Sequence, residues 1–201
     1  MKRFALFGEC LTAGLLVLLV ALPVVTLMPA LAAGCAHIKA HVDGETTSVR
    51  AFFERVRAAL PGGWVASLAV VGGFAVLAVD VVLLRTRVAG GGLVAAVCGA
   101  AAVGLAVVVL RAAAAWSEDV RWAVVGREAA RRSAVDFGGS LLLVMALAVL
   151  LIVTWQLPPL AVPMVGCVLM AAVAVDRRHT AAAGRPRPGG QALSRRTSVE
   201  G

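Results

Sequence analysis

Residues 64–84 read WVASLAVVGGFAVLAVDVVLL, and residues 90–110 read GGGLVAAVCGAAAVGLAVVVL. A helix rises 1.5 Å per residue, so each run would be about 32 Å long, which matches the roughly 30 Å hydrocarbon core of a bilayer. Neither run alternates apolar and polar residues as a half-buried strand does. The two runs therefore predict a pair of membrane-spanning helices joined by a short loop that contains Arg85 and Arg87.

The composition of the whole chain favours the same class of protein. Of its 201 residues, 61% are hydrophobic and 15% are charged, whereas soluble domains have roughly 45–50% apolar and about 25% charged residues. A chain of this size cannot hide so much apolar surface in a single core. These values exclude an ordinary soluble enzyme, a disordered chain and a disulfide-rich secreted module, and they predict an all-α polytopic membrane protein.

Three further apolar runs complete a predicted bundle of five transmembrane helices. The first covers residues 11–33 and is expected to be kinked at Pro23 and Pro29, because each proline removes a backbone donor. The other two cover residues 137–155 and 157–175. The last run crosses the membrane only if its helix begins before Leu160, since 16 apolar residues alone would rise about 24 Å.

The distribution of basic residues predicts the orientation of this bundle. With five spans, 15 of the 19 Lys and Arg residues fall on the side of the C-terminus and 4 on the side of the N-terminus. Because basic residues beside spans favour the cytoplasm, we expect a multi-pass protein of the cell (plasma) membrane with its N-terminus outside. Residues 1–176 then form the transmembrane domain, and residues 177–201 form a disordered basic cytoplasmic tail. The net charge of +8 is explained by this arrangement, so the lipid bilayer, and not nucleic acid, is the expected partner.

Residues 48–60 predict an amphipathic helix that lies at the cytoplasmic interface. Ser48 is a suitable N-cap, and the Pro-Gly-Gly sequence that follows Leu60 is expected to end the helix. Five apolar residues fall on one helical face: Val49, Phe52, Phe53, Val56 and Leu60. This face either rests on lipid as a simple connector or serves as a docking surface for a partner subunit. A second cytoplasmic helix is predicted over residues 116–134, with Ser117 as its cap.

The remaining polar residues do not form a recognisable catalytic or metal-binding pattern. His37 and His41 are spaced as paired helical ligands, but position 38 is Ile, so we predict no metal site, no cofactor and no enzymatic activity. Glu9 and Asp80 are the acidic residues nearest to or within the spans. Intramembrane charges usually mark paired or functional positions. A structural ion pair between Asp80 and Arg85 is the favoured interpretation, and a proton- or solute-binding site is the alternative.

The end of the first apolar run resembles a known family. Residues 22–33 read LPVVTLMPALAA, and a basic stretch with Gly44-Glu45 and then two adjacent phenylalanines follow. This order is similar to that of the YesL family of small bacterial integral membrane proteins of unknown function. The residues that carry the motif are Pro23, Thr26, Pro29 and Ala30.

The resemblance also carries an implication for function. Genes of the YesL family often lie near those of carbohydrate ABC transporters, so the resemblance implies an accessory or scaffold protein that associates with an ABC-transporter permease. The alternative is a small solute transporter or channel in its own right. The sequence does not predict an oligomeric state.

Overall fold

The computed structural model describes residues 2–45, 48–87 and 91–183, and all the regular elements of these residues are helices. Short 3-10 turns at Val24–Thr26 and Pro158–Leu160 connect some of them. The helices, in chain order, are α1 (Lys2–Ala21), α2 (Leu27–Val42), α3 (Val49–Arg87), α4 (Gly91–Ala115), α5 (Trp122–Val135), α6 (Phe137–Gln156) and α7 (Ala161–Ala183). The predicted all-α class is therefore confirmed.

Three of these helices are long and apolar enough to cross a membrane. Within the described residues they are Val49–Leu83, Gly92–Ala115 and Phe137–Gln156, while Leu11–Ala21 is a shorter apolar helix. Their outward surfaces are apolar as well, since Leu93 is 75% exposed and Leu151 is 71% exposed. An outer surface of this kind is suited to lipid and not to water.

The first predicted span, residues 11–33, is two separate helices and not one kinked helix. Helix α1 ends just before Pro23, as a missing backbone donor requires. Pro29 does not interrupt a helix, because it lies in the first turn of α2, where a backbone N–H has no intrahelical partner in any case. Thr26 closes the turn, since its hydroxyl donates to the carbonyl oxygens of Val20 and Pro23.

Helix α2 forms much of the core, and ten of its sixteen residues are buried. Gly14 of α1 lies against Gly166 of α7, and three residues further along both helices Val17 and Leu169 meet beside Gly34 of α2. The second contact lies closer to the C-terminus than the first in both helices, so α1 and α7 run in the same direction. An added Cβ at Gly34 would be 2.5 Å from a methyl group of Val17, which shows why a residue without a side chain is needed there.

Helix α3 has an amphipathic segment, residues 49–60, and a membrane segment, residues 63–87, separated by a bend. The Ser48 hydroxyl accepts from the Ala51 N–H at 3.2 Å, so the predicted N-cap is present. At the bend, Pro61 is extended and Gly62 has φ +81, a left-handed conformation that glycine adopts without steric cost. The boundaries predicted around this bend therefore agree with the structure.

Two other predicted boundaries are wrong. The second cytoplasmic helix begins at Trp122 and not near Ser117, because residues 117–120 form a turn in which Val120 N–H donates to the Ser117 carbonyl. The indole of Trp122 fixes this start by donating to the Ala59 carbonyl at 3.1 Å. The tail predicted from residue 177 is helical up to Ala183, and the rest of it lies outside the described residues.

Candidate functional site: the charged end of the bundle

Ionisable side chains from five helices meet at one end of the bundle, which we call the charged end. Helices α2, α4 and α7 finish there, α6 begins there, and α5 lies across it. Eight residues define it: Lys39, Asp43, Arg111, Glu128, Arg132, Asp136, Asp176 and Arg177.

Arg111 is the most deeply buried of these residues, with 6% of its surface exposed. Its Nη2 donates to the Asp136 carboxylate at 2.7 Å and to the Ser140 hydroxyl at 3.3 Å. The same carboxylate caps α6, because it accepts from the Gly139 N–H at 3.0 Å. An added Cβ at Gly139 would be 2.1 Å from this carboxylate and 2.6 Å from the guanidinium, so a side chain at this position would displace the two charged groups.

Lys39 and Arg177 connect α2 to the ends of its neighbours. The Lys39 ammonium donates to Asp176 at 2.8 Å and also to the carbonyl of Ala114, one of the last carbonyls of α4. A cation belongs at such a helix C-terminus, where backbone acceptors have no intrahelical donor. Arg177 donates to both oxygens of Asp43, at 2.7 and 2.8 Å. Three helices are thus held together where they leave the apolar part of the bundle.

Helix α5 contributes a carboxylate that is shared by two arginines. Glu128 accepts from Arg131 at 2.9 Å and from Arg132 at 2.9 Å. These hydrogen bonds lower the pKa of Glu128 from its ordinary value of 4.5 to about 2, so it is fully ionised at neutral pH. Arg132 also approaches Asp176 of α7 at 4.0 Å, which links α5 to the rest of the charged end.

A small cavity of about 210 Å³ lies between α4, α5 and α7 at this end. Arg111, Glu128, Arg132 and Asp176 line it together with alanine and valine side chains. Its cations and carboxylates pair with each other, so they hold the ends of these helices together. Within the part of the chain that the structure describes, no three His, Cys, Asp or Glu residues come close enough to hold a metal ion.

The residues that carry the family resemblance shape the turn between α1 and α2 and its contact with α3. Pro29 packs against Gly63, where an added Cβ would be 2.7 Å from the proline ring. Ala30 is fully buried in the core, and Thr26 bonds the turn itself. Beside them, the buried Ser67 hydroxyl accepts from the Met28 N–H at 3.0 Å. The motif therefore places α2 against the membrane segment of α3.

The fold buries one part of the predicted apolar face of residues 49–60 and leaves the other part exposed. Phe52 is completely buried and Val56 is 7% exposed, because both pack on α2, where the Phe52 ring meets the His37 ring edge-on at 6.2 Å. The prediction that the entire face is free for lipid or a partner is therefore wrong for these two residues, and Leu60 is half-buried. Val49 and Phe53 remain about half exposed, so the free part of the face is smaller than expected.

Asp80, one of the two acidic residues singled out from the sequence, does not belong to the charged end. Asp80 lies in the membrane segment of α3 and is half-buried. Glu9 lies in α1, but its side chain is outside the described residues, as is that of Arg85. The ion pair between Asp80 and Arg85 therefore stays a prediction.

Sequence reasoning missed the pairing at the charged end because it counted Lys39 and Arg111 only toward orientation. The sequence did contain a usable signal. Arg111 directly follows an apolar run and Lys39 interrupts one, so both are expected at the membrane boundary. Of the partners, Asp136 directly precedes α6, and Asp176 follows the apolar part of α7. Which acid meets which base depends on the packing of helices distant in sequence.

Comparison of the chain with family models, with curated proteins and with solved structures finds no match. The resemblance to the YesL family therefore rests on the quoted residues alone.

Proposed function

We propose that the chain is a multi-pass protein of the cell membrane that crosses the bilayer five times, through α1, the membrane segment of α3, α4, α6 and α7. The shared direction of α1 and α7 supports this number. If α7 crosses the membrane, α1 crosses beside it in the same direction, and its two ends lie on opposite sides. The charged end then faces the cytoplasm, since it lies among most of the basic residues. The N-terminus lies outside and the tail inside.

Within this membrane, we assign the protein an accessory role in which the charged end holds a partner subunit. The observation that carries the proposal is that four ion pairs and the hydrogen bond from Lys39 to the Ala114 carbonyl connect α2, α4, α5, α6 and α7 at this end. A surface that is rigid before association loses less conformational entropy when a partner binds. Exposed Phe53 and Val124 and the arginines of α5 provide the mixed apolar and basic surface. The resemblance to the YesL family suggests an ABC-transporter permease as that partner.

The interior supports an accessory role over transport. Among the described residues, the polar residues that are buried as a whole are His37, Ser67 and Arg111. Asp80 is 13 residues beyond Ser67 in α3, or about 20 Å along a helix. The core residues between these levels are apolar, whereas a transporter places polar groups along a path for its solute.

Site-specific photo-crosslinking in cells tests the accessory role. A photoreactive amino acid at Phe53 should cross-link to a permease subunit identified by mass spectrometry, whereas the same group at Val76, on the lipid-facing surface of α3, should not. Phe53→Leu should reduce co-purification of that permease without changing membrane yield. Equal cross-linking from both positions, or retention of the permease by Phe53→Leu, would contradict docking through this segment.

A second assay distinguishes the accessory role from the alternative function, a small solute transporter or channel. If the purified protein alone takes up a labelled solute in proteoliposomes, it is a small transporter or channel and the accessory proposal is wrong. The accessory proposal predicts uptake at the level of empty liposomes. Arg111→Gln serves as a control, since a conduction path through the charged end would be altered by it.

A further inference from the structure

A larger cavity, of about 530 Å³, lies in the opposite half of the bundle. It is open to the outside of the bundle, is lined by α3, α4, α6 and α7, and is separate from the charged end. Its walls are apolar, with Phe74, Ala106, Leu147 and Val165 among them. The volume falls in the range of about 300–1,000 Å³ that is typical of ligand pockets, which often lie between the helices of a bundle.

One polar group interrupts this apolar lining. Thr154 lines the cavity, and its buried hydroxyl has no hydrogen-bond partner among the described residues. A helical threonine usually donates to the carbonyl three or four residues earlier, but this hydroxyl does not. A buried hydroxyl without a partner costs about 1–3 kcal/mol, so a ligand that offers an acceptor there would be favoured.

The position of Thr154 along α6 indicates the depth of that acceptor. It lies two residues before the end of the helix at Gln156, beside Trp155, which is 87% exposed. Tryptophan is enriched at the boundary between headgroups and hydrocarbon. From Thr154 the cavity extends inward to Leu147, seven residues or about 10 Å deeper along α6. The lining therefore has a polar group at the boundary and apolar groups deeper in the membrane. An acyl chain that enters from the ester level of a lipid leaflet has the same order of polar and apolar groups.

We propose that this cavity binds one acyl chain of a membrane glycerophospholipid, with the ester carbonyl accepting a hydrogen bond from Thr154. The lining contains no charged side chain among the described residues, which favours the neutral ester and chain over the headgroup. The helix pairs α3–α4 and α6–α7 form opposite walls, so the acyl chain would pack between the two pairs and connect them. This inference rests on the membrane location proposed above and is independent of the partner subunit.

The test uses the full chain in liposomes that contain a phosphatidylethanolamine with a photoreactive diazirine in one acyl chain. Cross-linked peptides should map to the cavity walls. Ala106→Leu fills the cavity and should abolish this labelling, while Ala100→Leu, the same change on the exposed face of α4, should preserve it. Thr154→Val keeps the side-chain shape and removes the hydroxyl. It should reduce lipid retention about five-fold, the equivalent of roughly 1 kcal/mol for one hydrogen bond.

Several outcomes would overturn the proposal. Labelling spread evenly over all lipid-facing helices would indicate ordinary annular lipid, and equal loss in Ala106→Leu and Ala100→Leu would indicate a general effect on folding. If Ala106→Leu does not fold, Thr154→Val decides, and unchanged retention there contradicts the assigned hydrogen bond. Loss of the permease cross-link at Phe53 with normal lipid labelling would refute only the accessory role, so the two proposals fail separately.

Discussion

At the scale of single residues, the charged end depends on one buried pair. Arg111 and Asp136 are mostly inaccessible to solvent, with side-chain exposures of 7% and 24%. A buried charge is tolerated only when it is paired and hydrogen-bonded, so each side chain makes the other acceptable. The same carboxylate caps α6, and therefore the pair also determines where that helix begins.

Removal of both members of this pair should cost less than the sum of the costs of removing each alone. Asp136→Asn should lower the free energy of unfolding by about 3 kcal/mol, because the Arg111 charge stays buried without its counterion. Denaturant unfolding in detergent micelles measures the change. The double variant Arg111→Leu with Asp136→Asn should lose less than the sum of the two single variants. Additive losses would show that the pair does not couple the two helices.

Ser67 should stabilise the start of α2 through its hydroxyl. Ser67→Ala leaves the Met28 N–H without this buried acceptor, so we expect a loss of about 1–2 kcal/mol in the free energy of unfolding. Ser133→Ala is the matched control, since that hydroxyl only donates to the carbonyl four residues earlier in its own helix. Equal effects of both changes in the same unfolding assay would contradict this role for Ser67.

At the scale of helices, local sequence predicted the elements and failed at some of their junctions. The bend after Leu60 was predictable because proline and glycine act through their own backbones. The start of α5 was not, since the indole of Trp122 reaches the Ala59 carbonyl, 63 residues earlier in the chain. Burial of Phe52 was also missed, because periodicity identifies an apolar face but not the helix that covers it.

The bend in α3 should depend on the left-handed conformation of Gly62. Gly62→Ala should destabilise the fold by about 1–2 kcal/mol, the cost of a left-handed conformation for a residue with a Cβ. Gly72→Ala, in the same helix and with nothing near an added Cβ, should be neutral or stabilising. Thermal unfolding of both variants in one detergent provides the comparison. A tolerated alanine at position 62 would mean that the bend is not required.

Because of the ion pairs of Glu128, the folding stability of the protein should depend on pH in a defined range. Its folded-state pKa of about 2 lies below the ordinary 4.5, so its contribution to stability is complete above pH 4.5 and is lost as the pH falls toward 2. The difference in stability between the natural chain and Glu128→Gln should follow this course. A difference that stays constant through this range would contradict the pairing.

At the scale of the whole molecule, composition predicted a helical membrane protein, but the number of crossings depended on the turn after α1. The apolar run 11–33 looks like one span in sequence, whereas the structure divides it, with α1 alongside α7 and α2 in the core. The direction of α1 follows from contacts with α7, more than 140 residues later in the chain. Sequence periodicity contains no information about such contacts.

Labelling of single cysteines with a membrane-impermeant maleimide in intact cells tests the five-crossing arrangement most directly. In a chain without its natural cysteines, we place one cysteine at Lys2, at Ala123 in α5, or at Leu157 between α6 and α7. We expect labelling of Lys2→Cys and Leu157→Cys in intact cells and of Ala123→Cys only after permeabilisation. Labelling of Ala123→Cys in intact cells would contradict a cytoplasmic charged end, and protection of Lys2→Cys would contradict a crossing by α1.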